Sequence, residues 1–307
     1  MIKPNSNNEI VLKEFKAKDE YHEGEPENPG LALIWDFEAN GLLKRNPDEE
    51  ALKDVQPFEV GIVALSYDKI TGQVYKVIER YSEFEDIGVP IKDEVSEITG
   101  ITNEMIEGHH FDDDVVNRLI GMSTINIAHN ASYDAPIAQY RFPALKGKPW
   151  ACSLNEIDWR KDYGMGSRGL EFLVAFISGY FYNAHRAIID ADVLADLLAQ
   201  IRDDGTTIFS DLMNNVRKKQ IDIYAVQAPF SKKDILSGNG YYWHPGGFVR
   251  GEFITKAWHK PVDYDDVDNE LQWLNENVYN GYMGDKVQQQ SIDAWNRYAI
   301  TLHEVEL

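Results

Sequence analysis

The chain has 307 residues, 43% of them hydrophobic, with 51 acidic and 30 basic side chains and a formal net charge of −21. This apolar fraction supports a folded core and excludes a wholly disordered chain. The single cysteine, Cys152, excludes a disulfide framework and a thiolate zinc site. The length accommodates one large domain with a small one, or two modest ones.

The negative charge disfavours a long duplex-binding surface, because affinity for phosphates usually comes from lysine and arginine. An enzyme that holds only a few terminal nucleotides needs fewer cations, and bound metal ions would offset part of the local charge. The first twenty residues lack the apolar segment of a signal peptide, and no stretch is long enough to span a bilayer. We therefore expect a cytoplasmic protein without a membrane partner.

The first part of the chain predicts a leader followed by three strands. Residues 1–29 are polar, end in EGEPENPG, and predict a flexible leader. Leu31–Phe37 is an apolar run that ends in acids, as in a buried strand that delivers a side chain to a site. After a charged connection at residues 41–57, strands are predicted at 58–67 and 73–81, joined by the turn YDKITG.

The following segments predict helices that alternate with a strand. The segment SEITGITNEMI predicts two short helices. Further elements are predicted at Asp112–Ile120 (helix), 123–128 (strand), 130–140 (helix), 170–177 (helix) and 187–201 (helix). Three strands in series, then a strand among helices, predict an α/β fold with a mixed sheet flanked by helices.

A second, smaller domain is predicted after the first, with residues 30–204 as the first domain and 205–280 as the second. Thr206–Lys219 is a predicted helix whose basic last turn suits the helix dipole. Residues 223–279 are dense in aromatics and predict strand, helix, hairpin and helix, a small α+β domain. Residues 281–307 are predicted to be a polar, partly helical tail.

Two acids lie at the end of the first predicted strand. Asp36 and Glu38 are two residues apart, so both carboxylates project from one strand face and can reach the same cation. The preceding run is apolar, and burial of two acids there is costly without a compensating charge. The alternative is a solvated turn after a strand.

A third acid, Asp134, follows His129 and Asn130 at a predicted strand-to-helix junction. The alternative to a functional carboxylate is a helix cap, because Asn and Asp commonly cap helix starts. We interpret His129 as a hydrogen-bonded core residue in preference to a catalytic one.

His185 and Asp190 are five residues apart, which corresponds to about 140° of rotation on a helix. They cannot point the same way from one regular helix. Asp190 is therefore predicted on the helix, with His185 on the loop before it. A loop histidine at the edge of a site can act as a general base, although most loop histidines are simply exposed.

Convergence of these four carboxylates favours a metal site. Ionised carboxylates repel by about 4 kcal/mol per close pair at an effective dielectric constant of about 20. Divalent cations remove this repulsion, and oxygen ligands point to Mg²⁺ or Mn²⁺. Four carboxylates and an imidazole suit metal-assisted phosphodiester hydrolysis by an activated water.

Three ordered motifs resemble the DEDDh 3′–5′ exonucleases, the DnaQ-like group that includes a polymerase proofreading subunit and ribonuclease T. The motifs are WDFEANGL, AHNASYDAPI and HRAIIDADVLADLL. FEVGIVAL is similar to the second strand of the family, and the resemblance covers residues 30–202. It implies a ribonuclease H-like fold.

The resemblance implies a role for each motif residue. Asp36, Glu38, Asp134 and Asp190 would ligate two Mg²⁺ or Mn²⁺ ions, with Asp36 bridging them. His185 would deprotonate the water that attacks the terminal phosphodiester, releasing nucleoside 5′-monophosphates from a 3′ end. The implied substrate-binding residues are Phe37, Ala39, Asn40, Gly41, Leu42 and Asn130.

The residues between the first acids and the glycine depart from the family pattern. Ala39-Asn40 stands where the family more often has Thr-Thr or Thr-Ser, which affects sugar recognition and not hydrolysis.

The expected substrate is a single-stranded 3′ end, DNA in preference to RNA. The alternatives are an exoribonuclease that trims short RNA or tRNA ends, a non-catalytic nucleic-acid or polymerase-binding module, and an acidic interaction protein. A polymerase or another replication or repair protein is the expected partner.

The aromatic-rich second domain is similar to a short domain behind some bacterial and phage exonucleases. Its tryptophans Trp243, Trp258 and Trp273 are predicted to form the core, because small domains need bulky residues to close one. The alternative is base stacking by its aromatics, with phosphates held by neighbouring cations at Lys232, Lys233, Arg250, Lys256 and Lys260.

Overall fold

The computed structural model describes residues 9–43, 47 and 49–300. They form two compact units, which divide between Val216 and Arg217; residues 298–300 belong to the first. The predicted boundary at 204/205 lies earlier than this division. The helix that follows it belongs to the first unit because its Phe209 is fully buried, with its ring 4.7 Å from that of Tyr67.

The first unit contains seven strands and eight α-helices among the described residues. The strands are β1 (Lys13–Glu14), β2 (Pro29–Ala39), β3 (Pro57–Asp68), β4 (Val74–Phe84), β5 (Ile125–Ala128), β6 (Trp150–Cys152) and β7 (Tyr180–Phe181). The helices are α1 (Glu49–Asp54), α2 (Asp93–Thr99), α3 (Asn103–Ile106), α4 (Asp113–Met122), α5 (Ala131–Arg141), α6 (Leu170–Leu173), α7 (Ala187–Ala199) and α8 (Ile208–Val216). A 3₁₀ turn spans Pro143–Leu145, and a π-helical turn, Val174–Ser178, follows α6. Within the described residues, no helix combines the length and apolarity needed to cross a membrane.

Five of these strands form one mixed sheet in the order β4-β3-β2-β5-β6. β2, β3 and β4 pair antiparallel, whereas β2 with β5 and β5 with β6 pair parallel. The predicted α/β fold with a mixed sheet flanked by helices is confirmed. β2 is the central strand, so its apolar run is buried between neighbours on both sides.

The two faces of β2 have different partners. Trp35 and Phe37 point to one face, where they pack with residues of α4 and α5 such as Leu119 and Ala135. By the alternation of a strand, Asp36 and Glu38 point to the other face. That face is covered by α7, which packs against β2 and β3. The strand therefore separates an apolar layer from the layer that contains the acids.

The described part of the predicted leader is packed against the first unit. β1 pairs with β7 in parallel, and Lys18 forms an ion pair with Asp196 at 2.5 Å. The Arg80 guanidinium holds Asp19 at 2.5 Å and Asp192 at 2.8 Å. This corrects the prediction of a flexible leader for residues 9–29, because these polar residues find charged partners far away in the sequence. Residues 1–8 lie outside the described residues.

The second unit is an antiparallel sheet with helices on one face and a hairpin on the other. Its elements are β8 (Gln220–Val226), α9 (Lys233–Gly238), β9 (Tyr242–His244), β10 (Gly247–Val249), β11 (Glu252–Ile254), β12 (Ala257–Asp263), α10 (Val267–Asn277) and β13 (Val287–Ile292). Its 3₁₀ turns are Phe230–Lys232 and Tyr264–Asp266. The sheet order is β13-β8-β12-β9, and β10 pairs with β11 as a separate hairpin.

The small α+β domain is confirmed, and its bounds are extended by β13. This strand corrects the predicted partly helical tail, because it pairs antiparallel with β8 along its whole length. Residues 301–307 lie outside the described residues.

The core of the second unit is formed mainly by aliphatic residues. Leu236 of α9 and Leu274 of α10 are fully buried against Ile223 of β8. Trp258 and Trp273 pack against this cluster, as predicted. Trp243 does not, since its side chain is 54% exposed. The prediction of a tryptophan core is therefore wrong for Trp243, because helices α9 and α10 supply the apolar volume instead.

Arg80→Ala should lower the free energy of unfolding by about 3 kcal/mol, because it leaves the 5% exposed Asp192 as an uncompensated buried charge. Chemical denaturation measures this change. The control is Arg118→Ala, which breaks the exposed pair with Glu79 and should cost less than about 1 kcal/mol. Equal losses in the two variants would contradict the role of Arg80.

Candidate active site

Three carboxylates converge at the end of the central strand. One oxygen each of Asp36, Glu38 and Asp190 lies within 4.8 Å of the others. Asp134, in the first turn of α5, is 4% exposed, and its charge raises the pKa of Asp36. Because β2 and β5 are parallel, their carboxyl ends meet at the same edge of the sheet. The four acids predicted from the sequence thus lie together.

A glycine in β3 lets α7 approach this edge. Gly61 pairs with Asp36 across the sheet, and a Cβ on it would lie 2.3 Å from the carbonyl carbon of Ala187. No side chain fits between β3 and the start of α7, so the helix begins directly on the strand. Asp190, in the first turn of α7, is thereby carried to the acid face of β2. A glycine within an apolar strand is the sequence signal for such a close approach.

A fifth carboxylate, which the sequence reasoning missed, anchors the start of α7. Glu59 pairs with Glu38 across the sheet and is 1% exposed. Its two oxygens accept hydrogen bonds from Arg186 Nε and from the Ala187 backbone N–H, each at 3.0 Å. Glu59 therefore binds the start of α7 and the Arg186 guanidinium to strand β3, beside the site. Only the strand register, which sequence spacing does not give, reveals this position.

Asp190 is oriented by three donors on the segment before α7. Its Oδ2 accepts the backbone N–H of His185 at 2.9 Å and of Arg186 at 3.2 Å. The Tyr182 hydroxyl donates to Oδ1 at 3.0 Å. Tyr182 is a second residue that the sequence reasoning missed, because it lies on the loop before α7, where no regular spacing relates it to Asp190.

His185 lies on the loop before α7, where the five-residue spacing places it. Its side chain is exposed, and its φ of 67° is in the left-handed region that non-glycine residues seldom adopt. This backbone conformation accompanies the hydrogen bond from its N–H to Asp190. The backbone of His185 thus contacts the site directly, while its imidazole ring stays accessible to solvent.

Burial and mutual repulsion keep protons on the clustered acids. Burial, followed by the charges of Asp134 and Asp190, raises the pKa of Asp36 well above its usual range. Burial and the charges of Asp190 and Glu59 raise the pKa of Glu38 to about 8. Burial also raises the pKa of Asp134 to about 8, against a hydrogen bond from the Phe37 N–H. A divalent cation would favour the ionised forms, and carboxylate oxygens are suitable ligands for one.

His129 is a hydrogen-bonded interior residue, as interpreted from the sequence. Its Nδ1 lies 2.8 Å from Ser153 Oγ and its Nε2 lies 2.9 Å from the Arg168 carbonyl oxygen. Burial lowers its pKa to about 4, so the ring is neutral at physiological pH. Both ring nitrogens have hydrogen-bond partners within the protein, as the interpretation of a hydrogen-bonded residue requires.

Three of the predicted substrate-binding residues have buried side chains. Phe37 and Ala39 belong to the apolar core, with Phe37 stacked on Trp35 at 5.8 Å. The Asn40 side chain donates to the Pro90 carbonyl at 3.1 Å and accepts the Lys92 N–H at 2.8 Å. Strand alternation and this loop contact turn these three side chains inward, so only their backbone atoms could contact a substrate.

The remaining predicted contacts stay accessible. Leu42 is 91% exposed, and Asn130 is exposed at the start of α5, where its side chain forms no cap. Gly41 is partly buried, and its carbonyl oxygen accepts a hydrogen bond from the Tyr133 hydroxyl at 2.8 Å. Leu42 and Asn130 are thus the two whose side chains are exposed.

A sequence profile of exonucleases of the ribonuclease T type matches residues 33–198, more than half of the chain, and includes all four clustered carboxylates and His185. The chain belongs to this exonuclease family. The predicted resemblance to the DnaQ-like 3′–5′ exonucleases is confirmed, together with the ribonuclease H-like fold of the first unit.

The exonuclease has relatives among bacterial polymerases. The PolC-type DNA polymerase III of Thermotoga petrophila is 28% identical over 215 residues, 64% of this chain and 14% of the polymerase. That of Halalkalibacterium halodurans is 26% identical over 221 residues, 62% of this chain and 15% of the polymerase. The matched part of the chain thus spans only 14–15% of the length of these relatives.

Two solved structures of nucleases also match the exonuclease. One, a 3′-exonuclease in 3′-end specific recognition of a histone mRNA stem-loop, covers 59% of this chain and 85% of that chain at 14% identity, with a TM-score of 0.42. The other, Exonuclease X in complex with 5′ overhanging duplex DNA, covers 58% of this chain and 99% of that chain at 19% identity, with a TM-score of 0.36.

The free energy of unfolding of the metal-free exonuclease should fall as the pH rises from about 4 to about 8. The pKa of Glu38 and that of Asp134 rise from 4.5 and 3.8 to about 8 on folding. The unfolded chain therefore loses these protons first, and rising pH favours unfolding. Urea denaturation in EDTA at about pH 5 and about pH 8 measures this fall, which Mg²⁺ should reduce at the higher pH.

The matched variants for this measurement are Glu38→Gln and Glu107→Gln. Glu38→Gln removes one of the crowded charges, so its stability should fall less between the two pH values than that of the wild type. Glu107 is exposed outside the cluster, and Glu107→Gln should follow the wild type. Parallel pH dependences for Glu38→Gln and the wild type would contradict the electrostatic explanation.

Proposed function

We propose that the chain is a divalent-metal-dependent 3′–5′ exonuclease that hydrolyses single-stranded DNA 3′ ends to nucleoside 5′-monophosphates. The observation that carries the proposal is the convergence of Asp36, Glu38 and Asp190 within 4.8 Å, with the buried Asp134 beside them. Such a set of hard oxygen donors at the edge of a sheet suits catalysis of phosphodiester hydrolysis with metal ions.

The four clustered acids are the proposed ligands of two Mg²⁺ or Mn²⁺ ions. The charges of Asp134, Asp190 and Glu38 all act on Asp36, so it is the proposed shared ligand. Bound ions would supply an activated water and stabilise the negative charge that develops on the phosphate. Tyr182 and the loop N–H groups hold the Asp190 carboxylate in one orientation, which the ions would otherwise have to impose.

His185 is the proposed general base. Its backbone is tied to Asp190 by the 2.9 Å hydrogen bond, while its exposed imidazole is free to turn towards a water at the acid face. One imidazole nitrogen would take the proton of the attacking water and later release it to solvent. Leu42 and Asn130 are the proposed side-chain contacts to the terminal nucleotide, since both are exposed beside site residues.

DNA is the proposed substrate because the matched relatives are DNA polymerases. For the same reason, a polymerase or another replication or repair protein is the proposed partner. A short single-stranded end is favoured over a long duplex because residues 1–216 contain 38 acidic and only 20 basic side chains. Such a surface repels an extended polyanion, so the protein would bind only the few nucleotides at the end of the strand.

Single strands labelled at the 5′ end should be shortened stepwise in Mg²⁺ or Mn²⁺, with mononucleotides released first from the 3′ end. EDTA or Asp36→Asn should abolish the release, whereas Asp203→Asn, at an exposed position between α7 and α8, should not. DNA and RNA oligomers assayed side by side identify the substrate. Release that persists in EDTA would exclude the metal mechanism, and faster RNA cleavage would replace the DNA assignment.

His185→Ala should lower kcat about 10²–10⁴-fold, the usual contribution of a general base, with little change in KM. Steady-state kinetics on a labelled oligomer measure both constants. The acidic limb of the pH–rate profile should disappear in this variant, because that limb reports protonation of the base. His110→Ala, at an exposed histidine on a different loop, is the control and should retain wild-type kcat. Wild-type turnover in His185→Ala would remove His185 from the mechanism.

A further inference from the structure

Large exposed aromatic side chains are concentrated in the second unit. Among the described residues of 1–216, only Phe176 and Phe181 are exposed to this degree. Residues 217–297 contain eight: Phe230, Tyr242, Trp243, Phe248, Phe253, Tyr264, Tyr282 and Trp295. A surface so rich in exposed rings is typical of a binding function.

Two of the tryptophans form a pair at the edge of the sheet. Trp243 of the edge strand β9 lies directly opposite Trp258 of β12. Their ring centroids are 5.9 Å apart at an interplanar angle of 69°, an edge-to-face contact. Trp258 packs against the core that contains Leu236 and Leu274, so the pair lies on the helix side of the sheet. Trp258 thus fixes Trp243, whose indole is 54% exposed.

A lysine accompanies this pair. Lys256 lies in the bend that leads into β12, one residue before the strand and two before Trp258, so it lies within about 7 Å of Trp258 along the chain. Its side chain is exposed, and no carboxylate among the described residues forms an ion pair with it. Lys260, two residues beyond Trp258, is instead paired with Glu270 at 2.7 Å. Lys256 is therefore available to an external anion.

The charge of the chain is unevenly distributed. Residues 217–297 contain 10 basic and 11 acidic side chains, against 20 and 38 in residues 1–216. A nucleic-acid backbone therefore meets far less repulsion on the second unit than on the first. This weak repulsion, together with the exposed Lys256 beside the tryptophan pair, favours an anionic single strand as the occupant of the exposed rings.

We propose that Trp243, Trp258 and Lys256 form a binding site for single-stranded nucleic acid. A base stacks on the exposed indole of Trp243, Trp258 holds that indole in place, and Lys256 neutralises a neighbouring phosphate. Stacking on an aromatic ring accepts any base, since every base has a π face, and it requires an unpaired strand. The site belongs to the second unit and contains none of the clustered acids, so it holds the strand without cleaving it.

The test is binding by the full chain in EDTA, which stops hydrolysis and removes any metal-bridged contact at the acidic cluster. Fluorescence anisotropy with labelled oligothymidylate and oligouridylate of about twenty nucleotides reports the affinity, and compares DNA with RNA. Trp243→Ala should weaken binding about tenfold, or 1.4 kcal/mol, and Trp243→Phe should restore most of the loss. Trp295→Ala, at a 59% exposed tryptophan of the same unit, is the matched control and should bind like the wild type.

The salt dependence tests the lysine separately. Lys256→Gln should reduce the slope of log affinity against log salt concentration by about 0.7, the value for one phosphate contact on a single strand. Equal affinities for Trp243→Ala and the wild type would overturn the proposal, as would an equal loss in Trp295→Ala. Failure of the wild type to bind either strand at low salt would also overturn it and leave the surface to a protein partner. Because the measurement excludes hydrolysis, its outcome is independent of the proposed exonuclease activity.

Discussion

Repulsion among buried carboxylates at the end of β2 is the constraint that organises the first unit. Backbone N–H groups partly offset this repulsion. The N–H groups of His185 and Arg186 donate to Asp190, and the N–H group of Ala187 donates to Glu59. These donors all belong to the start of α7, where the positive end of the helix dipole also lies. The helix can supply them only because Gly61 allows it to rest on the strand backbone. The repulsion that remains is expressed as raised pKa values, and in the proposed function it would be the source of affinity for divalent cations.

Such a site reduces the stability of the metal-free protein, so the surrounding structure has to compensate for it. The opposite face of β2 is a closed apolar layer around Trp35, which holds the strand independently of its acids. On the acid side, Arg80 and Lys18 neutralise the buried Asp192 and Asp196 of α7. In many enzymes the active site is locally destabilising, and the rest of the fold supplies the compensating stability. The packed leader is thus part of the support of α7, and through α7 of the site.

The two units are built on different physical principles. The first buries charge and concentrates acids, and its surface repels a long polyanion. The second is nearly neutral, and its aliphatic core leaves many of its aromatic rings at the surface. Hydrolysis requires the first arrangement, because metal ions need dense oxygen donors. Retention of a flexible strand is better served by the second, because stacking is tolerant of sequence and costs no buried charge. A chain that contains both units can hold its substrate with one unit and hydrolyse it with the other.

The mixed sheet, the four clustered acids and the loop position of His185 could all be predicted from the amino-acid sequence. These depend on apolar runs, on two-residue and five-residue spacings and on motif order, all of which are local. The positions of Glu59 and Gly61 opposite the acids of β2 follow from the three-dimensional fold alone, because strand register brings together residues more than twenty positions apart. The fold also turned Asn40 inward and left Trp243 exposed, since burial depends on which elements cover a face. Local patterns specify what a residue can do, whereas packing between distant segments decides which residues meet.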